Sequence, residues 1–279
     1  DAAKTCSVRE AALKNYVTQP AVTQQIHILE EKLGCCLFER HHKKMTLTAS
    51  GKIFLSYAEN ILGQYEESKI RIREISKEFA GTIRIATIYS IGLYQLQPII
   101  RNFLRRFRQM DIRLEYHSFD RIYEMVSNRL IDFGFVSHPK EQRGIVAKVF
   151  DEEKMVVAQS RHHRVLKRRR ISLSDLNGAK FVAFASHTPT RSSIDDFLYR
   201  NSVRPLIINE YDNVETLKSA LQLGIGCSIV PLSTLARELR DGSLEVLPTR
   251  GLKLKRPLGI LHSKDAVFTK SLREFYEAV

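Results

Sequence analysis

The chain has 279 residues, 44 Lys and Arg against 31 Asp and Glu, a formal charge of +13 and 43% hydrophobic residues. That is apolar material enough for a substantial core, and the absence of any run of about 18 apolar residues argues against a membrane-spanning helix. The length suits a small domain followed by a larger one, and the positive balance favours a polyanionic partner without locating it, since residues 1–50 hold seven Lys and Arg against five Asp and Glu.

In chain order, Ser7-Val-Arg-Glu10 has the form of a capping box, so a helix is expected from Val8, with Ala11, Ala12 and Leu13 as its packing face and Asn15 as its left-handed stop. Thr18 is expected to cap a second helix with Pro20 in its first turn. Val22, Ile26, Leu29 and Leu33 form one apolar stripe, and Gly34 ends the helix. Gln19, Thr23 and His27, spaced four apart, give that helix a polar face. Two helices joined by a tight turn make a helix-turn-helix. Leu37–Arg40 and Met45–Thr48 then read as two short strands around the basic loop His41-His42-Lys43-Lys44, a wing.

One long helix is predicted from Ala49 to about Phe79. Phe54, Ala58, Ile61, Tyr65, Ser68, Ile72, Ile75 and Phe79 alternate in steps of four and three, a heptad seam that suits a dimer more than a monomer's core. Beyond Gly81, strands near 82–86, 112–116, 133–136, 155–159, 180–184, 206–210, 227–230, 244–247 and 258–262 alternate with helices. Those helices are expected near 96–107, 121–128, 192–201, 214–223, 233–240 and from Thr269. The alternation argues for an α/β fold with parallel sheet, and nearly 200 residues of it argue for two lobes. Gly224-Ile-Gly226 follows a helix and precedes a strand, the reverse of a dinucleotide loop, and reads as a turn. Cys6, Cys35, Cys36 and Cys227 have neither CxxC nor zinc spacing and read as reduced thiols.

Residues 7–62 resemble the DNA-binding region of the LysR-type transcriptional regulators. Five fragments carry the likeness in family order and spacing: Ser7-Val-Arg-Glu-Ala-Ala, Val17-Thr-Gln-Pro-Ala-Val-Thr-Gln-Gln-Ile, Leu29-Glu-Glu-Lys-Leu-Gly, Leu37-Phe-Glu-Arg and Leu47-Thr-Ala-Ser-Gly. The resemblance implies an N-terminal winged helix-turn-helix, mainly α, a long linker helix, and a two-lobed α/β effector domain resembling type 2 periplasmic binding proteins. The expected division is 1–48, 49–80 and 81–279, the effector lobes being about 81–151 with 249–279, and about 152–248. Only Asp1–Cys6 stands where the family supplies its first helix, so the chain reads as truncated at its N-terminus. Gln24 and Cys36 stand where basic or polar residues are common.

The implied partners are double-stranded promoter DNA, further copies of the chain as dimers and tetramers, a small-molecule co-inducer, and RNA polymerase, in the cytoplasm. By position, Thr18, Gln19, Pro20, Thr23 and Gln24 match the family's DNA-facing residues. Gln pairs bidentately with adenine in the major groove, and Thr hydroxyls suit phosphate. Thr18 serves equally well as a plain cap. Arg40, His42, Lys43 and Lys44 suit backbone or minor-groove contact, while Phe54, Ala58, Ile61, Tyr65, Ile72 and Ile75 are the dimer contacts.

An effector between lobes would meet helix N-termini and strand ends. Thr87 and Ser90, Ser137 and His138, and Thr188, Thr190 and Arg191 fall in three stretches of that kind. Their hydroxyls and one guanidinium suit a carboxylate, sulfate or phosphate. For Arg191 a surface ion pair with Asp195, four residues on, competes with anion binding. A periplasmic solute-binding protein would share the lobes but not residues 7–48. An enzyme would need a nucleophile elbow, phosphate loop, metal cluster or paired carboxylates, and the sequence has none of these motifs. Neither metal nor cofactor is expected beyond the co-inducer.

Overall fold

The computed structural model describes residues 1–41, 44–75 and 81–279, and the chain forms two compact units, Asp1–Ser68 and Lys69–Val279. In the first unit the elements are α1 (Ala2–Thr5), α2 (Val8–Lys14), α3 (Gln19–Leu33), β1 (Phe38–His41), β2 (Lys44–Leu47) and the start of α4 (Ala49–Ile75). Ser7 caps α2 by accepting from the Glu10 amide at 3.3 Å. The left-handed residue of the turn is Tyr16, with φ 55°, and not Asn15, which stays near φ −101°. Thr18 occupies the cap position of α3, but its hydroxyl does not cap. Gly34, with φ 67°, ends that helix as expected.

The stripe on α3 is only half covered: Val22, Ile26 and Leu29 are partly buried and Leu33 is 43% exposed, because the elements packed on it are small. The wing is an antiparallel hairpin pairing Phe38 with Leu47 and His41 with Lys44. Glu30 fastens it to α3, its carboxylate accepting from the Leu37 and Phe38 amides at 2.7 and 3.1 Å. Thr48 fastens the other end, donating to Cys36 O and accepting from the Gly51 amide. Gly51 is obligatory there, since a Cβ would stand 2.0 Å from the Leu37 carbonyl oxygen.

The second unit holds β3 (Gly81–Thr87), α5 (Tyr89–Tyr94), α6 (Leu96–Arg106), β4 (Met110–Tyr116), α7 (Phe119–Ser127), β5 (Phe133–Ser137), β6 (Ile145–Ser160), β7 (Ile171–Ser172), β8 (Lys180–Phe184), α8 (Pro189–Arg200), β9 (Leu206–Tyr211), α9 (Val214–Gln222), β10 (Cys227–Pro231), α10 (Ala236–Asp241), β11 (Leu244–Leu247), β12 (Thr249–Arg250), β13 (Lys255–Ser263) and α11 (Lys270–Ala278). Among the described residues the main strand path runs β4-β3-β5-β13-β6-β10-β8-β9, with β11 also on β6. The sheet is mixed and not purely parallel. Strands β3, β4 and β5 are parallel, as are β8, β9 and β10, but β6 and β13 pair antiparallel with both groups' neighbours and with each other.

These strands make two lobes. Ile83, Ile85, Leu96, Phe103, Phe133, Phe135, Ile260 and Phe275 form one core of the first lobe, and Ile122, Val126, Val136 and Leu261 pack its other face. Val157, Phe181, Val182, Ile194, Leu217, Ile229 and Leu244 belong to the second lobe's core. The lobes are joined where β6 and β13 run side by side, Glu153 opposite Arg256. Sixteen-residue β6 is therefore far longer than the strand expected at 155–159. Asp151-Glu152-Glu153-Lys154 hides the alternation at the point where the strand passes between lobes and its neighbours are polar. Helix α5 is not among the expected elements, being only six residues long and interrupted by Gly92.

Candidate functional sites

In the first unit, the polar face expected of the second helix is present on α3. Gln19, Pro20, Thr23, Gln24 and His27 line one open concavity, and Thr18, Gln19, Pro20, Thr23 and Gln24 are all exposed. Thr23 donates its hydroxyl to Gln19 O at 3.1 Å and keeps its lone pairs for an outside donor. The amides of Gln19 and Gln24 have no side-chain hydrogen bond to the described residues. In the wing, His42 and Lys43 lie outside the described residues, and Arg40 and Lys44 are placed on the backbone of β1 and β2.

Along α4 the described part of the seam is half-covered at its start and exposed further on. Phe54 and Ala58 are half-buried, whereas Ile61 is 66% and Tyr65 60% exposed. Ile53, Tyr57 and Leu62 are exposed beside them. Ile72 and Ile75 fall on the described helix backbone, and Phe79 lies outside the described residues.

The second unit holds a cavity of about 360 Å³ between its lobes, within the range of small-molecule sites. All three stretches singled out in the sequence reach its wall, through Ser90, Ser137, Thr188 and Thr190. The wall also takes Tyr116–Asp120, Asp212–Val214, Phe184 and Arg256, which no local pattern in the sequence singles out. Helices α7, α8 and α9 all begin here, with the short α5 beside them, so three sets of N-terminal N–H groups and three positive dipole ends converge on one space. Asn213 caps α9 by accepting from the Glu215 and Thr216 amides, each at 3.0 Å. Thr188 caps α8, accepting from the Arg191 amide at 3.3 Å. Ser137 and Thr190, from opposite lobes, share a hydrogen bond of 3.1 Å across the cleft. Tyr89 and Tyr116 stack at 5.0 Å and give the cavity an aromatic side.

Three expected effector residues lie elsewhere. Thr87 is fully buried behind the wall and donates to Ile88 O. His138 stands in a neighbouring groove with Lys140, Asp196 and Arg200. Burial first, then the charges of Arg256 and Lys140, push its imidazole down to about 4. Arg191 is the main correction. Its Nε donates to Asp195 at 2.9 and 2.7 Å, and its Nη1 to Phe184 O at 2.7 Å and to Glu210 at 2.8 Å. The guanidinium holds Glu210 below the usual carboxylate range. Arg191 thus clamps α8 to β8 and β9 and is absent from the cavity wall.

The arginine on that wall is Arg256, 2% exposed, whose Nε donates to Glu153 at 2.9 Å and whose Nη2 donates to Glu153 and, at 3.1 Å, to Ser90. Burial lowers its pKa from the ordinary arginine value, against the pull of Glu153. No spacing rule points to it, because Lys253-Leu-Lys-Arg-Pro reads as a solvated basic turn. A second polar cluster bridges the lobes nearby. Buried Lys218 donates to Glu238 and Thr234 O, each at 2.9 Å, and to Tyr94 OH at 2.6 Å, and Tyr94 donates to Glu215 at 2.7 Å.

A winged helix-turn-helix and a two-lobed domain with a walled cleft define a DNA-binding regulator that senses a small molecule. The family model of the LysR substrate binding domain matches residues 76–279, and that of the bacterial regulatory helix-turn-helix protein, lysR family, matches residues 1–52. The chain belongs to the LysR family of transcriptional regulators. It is 30% identical over 262 residues to the HTH-type transcriptional activator CmpR of Synechocystis sp., covering 94% of this chain and 86% of that one. Full-length CbnR complexed with its target DNA has the same fold, with TM-score 0.77 at 23% identity over 100% of this chain and 95% of that one. The Synechocystis PCC6803 CcmR regulatory domain in complex with 2-PG matches 71% of this chain and 94% of its own, with TM-score 0.63 at 21% identity.

Proposed function

We propose that this regulator reads promoter DNA through α3 and the wing and answers to a small anionic effector held between the lobes. Gln19 and Gln24 contact base edges, Thr18 and Thr23 contact phosphates, Pro20 sets the helix start, and Arg40, His42, Lys43 and Lys44 contact the backbone. The α4 seam joins two chains, dimers pair into tetramers, and the assembly acts on RNA polymerase in the cytoplasm. Residues 1–48, 49–80 and 81–279 are the reading, joining and sensing parts. The observation that carries the effector reading is the convergence of three helix starts with the Ser90, Ser137 and Thr190 hydroxyls on one cavity. The DNA complex of CbnR supports the DNA half of this reading by likeness, and the 2-PG complex of CcmR the effector half.

Fluorescence anisotropy on the promoter beside the gene tests the DNA half. Gln19→Ala should cost ~1–3 kcal/mol and relax preference at one base pair. Lys43→Ala should weaken all sequences alike and lower the salt slope by about one. Identical behaviour of the two variants would refute the assignment. Melting of the full chain with sulfate, phosphosugars and dicarboxylic or aromatic acids tests the effector half. A ligand at 100 times its Kd adds about 2.7 kcal/mol of stability.

A further inference from the structure

Arg256 leads the fully buried side chains in size, and it is charged. Such a group normally has every donor matched. Here Nε and Nη2 are matched by Glu153 and Ser90, but Nη1 donates to nothing among the described residues, and Arg256 forms part of the cavity wall. Two guanidinium N–H donors are left at a ligand-sized space, in the planar geometry that suits an oxyanion.

What stands behind Arg256 is equally specific. Glu153 Oε2 takes both arginine bonds, while Oε1 accepts from Gln95 Nε2 at 2.6 Å and from Ser233. Ser90 and Gln95 belong to the first lobe and Ser233 to the second. Arg256 and Glu153 face each other on β13 and β6, the two strands that join the lobes. One hydrogen-bonded group therefore touches the cavity, both lobes and both connecting strands.

We infer that Arg256 is the specificity-determining residue of the cleft, its Nη1 donors taking the oxyanion of the effector, and that Glu153 is the internal anion against which the effector competes. This inference rests on the reading of the cleft as an anion site. The ligand class is a small carboxylate or phosphoryl compound. Drawing the guanidinium toward such a ligand loosens its hold on Glu153, and with it the Gln95 and Ser233 bonds that tie the lobes together. Occupancy of the cleft is passed on through that exchange.

Glu153→Gln separates this role from a merely structural one. It removes the competing charge and keeps the side chain's shape; the amide oxygen can still accept from Arg256, while the NH2 group takes the place of Oε1 and faces Gln95 and Ser233, both of which can turn an acceptor toward it. Isothermal titration of the full chain at constant ionic strength, with sodium sulfate, inorganic phosphate, benzoate and succinate as probes, reads the effect. Glu153→Gln should bind the best probe at least fivefold tighter than the unmodified chain. The charge-free pair Arg256→Gln/Glu153→Gln should bind it roughly tenfold to a hundredfold more weakly. Sulfate and phosphate against benzoate and succinate distinguish a phosphoryl from a carboxylate ligand. Unchanged affinity in the charge-free pair overturns the role of Arg256 while leaving the anion site standing. If no probe binds either the unmodified chain or Glu153→Gln, the anion reading itself falls, and this inference with it. Should the charge-free pair fold poorly, Arg256→Lys decides. It keeps the charge but loses the Nη1 fork, so affinity equal to the unmodified chain's refutes the proposal.

Discussion

Replacing Arg191 by Ala tests whether this arginine is a clamp or a ligand-binding group. A ligand-binding arginine at the surface could be removed with little effect on the unliganded protein. In the structure Arg191 is 8% exposed and makes four hydrogen bonds. Truncation strands the buried Phe184 carbonyl, which costs about 1–3 kcal/mol. Asp195 and Glu210 are 49% and 40% exposed and can rehydrate, so each lost ion pair adds only ~0.2–1 kcal/mol. The total is about 3 kcal/mol, and for a unit of this size roughly 2–4 °C per kcal/mol gives a Tm lower by about 6–12 °C. Differential scanning calorimetry of the full chain, following the transition of residues 69–279, measures it. Asp195→Ala, which removes only the exposed partner, should shift Tm by no more than about 4 °C. An Arg191→Ala chain that melts within a degree of the unmodified one would refute the clamp.

The exposed stretch of the α4 seam predicts that Ile61→Asp, charging a side chain 66% exposed in the single chain, abolishes dimers in sedimentation and leaves the monomer's melting unchanged; a variant that remains dimeric places the contact elsewhere. His138 is held neutral, its folded value of about 4 lying below the ordinary 6.5. The unfolded chain takes up the proton first as pH falls, so stability present above about 6.5 is lost toward pH 4, by ~1–2 kcal/mol after allowance for its partial exposure. His138→Asn, which tolerates the left-handed φ of 50°, should flatten that slope in urea titrations at each pH, and an unchanged slope counts against it. Phe275 is fully buried against Phe103 and Phe133 at 5.2 and 5.6 Å, so Phe275→Ala should cost about 3–5 kcal/mol in the same titrations; a loss below about 1 kcal/mol would mean that α11 does not seal the first lobe's core.

Local rules suffice where the deciding neighbours lie close in the chain. Gly34 ends α3 because only its own backbone angle matters, and Lys180–Phe184 and Leu244–Leu247 are apolar runs bounded by turns. Ser90, Ser137, Thr188 and Thr190 are legible because strand ends and helix starts can be read from short stretches. Arg191 is misleading because Glu210, nineteen residues away on β9, has no local signature, although Asp195 at four residues does. Arg256 is invisible for the same reason, carried further. Its partner Glu153 is 103 residues away, and only the pairing of β13 with β6 turns a basic turn into a buried ion pair.

The junction between the lobes is polar where it could have been apolar. Arg256 with Glu153, and Lys218 with Glu238 and Tyr94, put buried charges at the seam, and ion pairs of this kind are often no more stabilising than hydrophobic residues of the same shape. What they supply is direction. An apolar seam tolerates sliding and has no preferred partner for an incoming anion, whereas each of these hydrogen bonds holds at one geometry and fails at another. Tyr94 reaches from the first lobe to Lys218 and Glu215 of the second, and Ser137 reaches Thr190 across the cleft. A ligand that competes for any of these donors changes which arrangement of the lobes is fully bonded, and so biases the equilibrium between arrangements by its differential affinity for them. On the effector reading proposed above, that use of buried charge outweighs the modest stability an apolar seam would add.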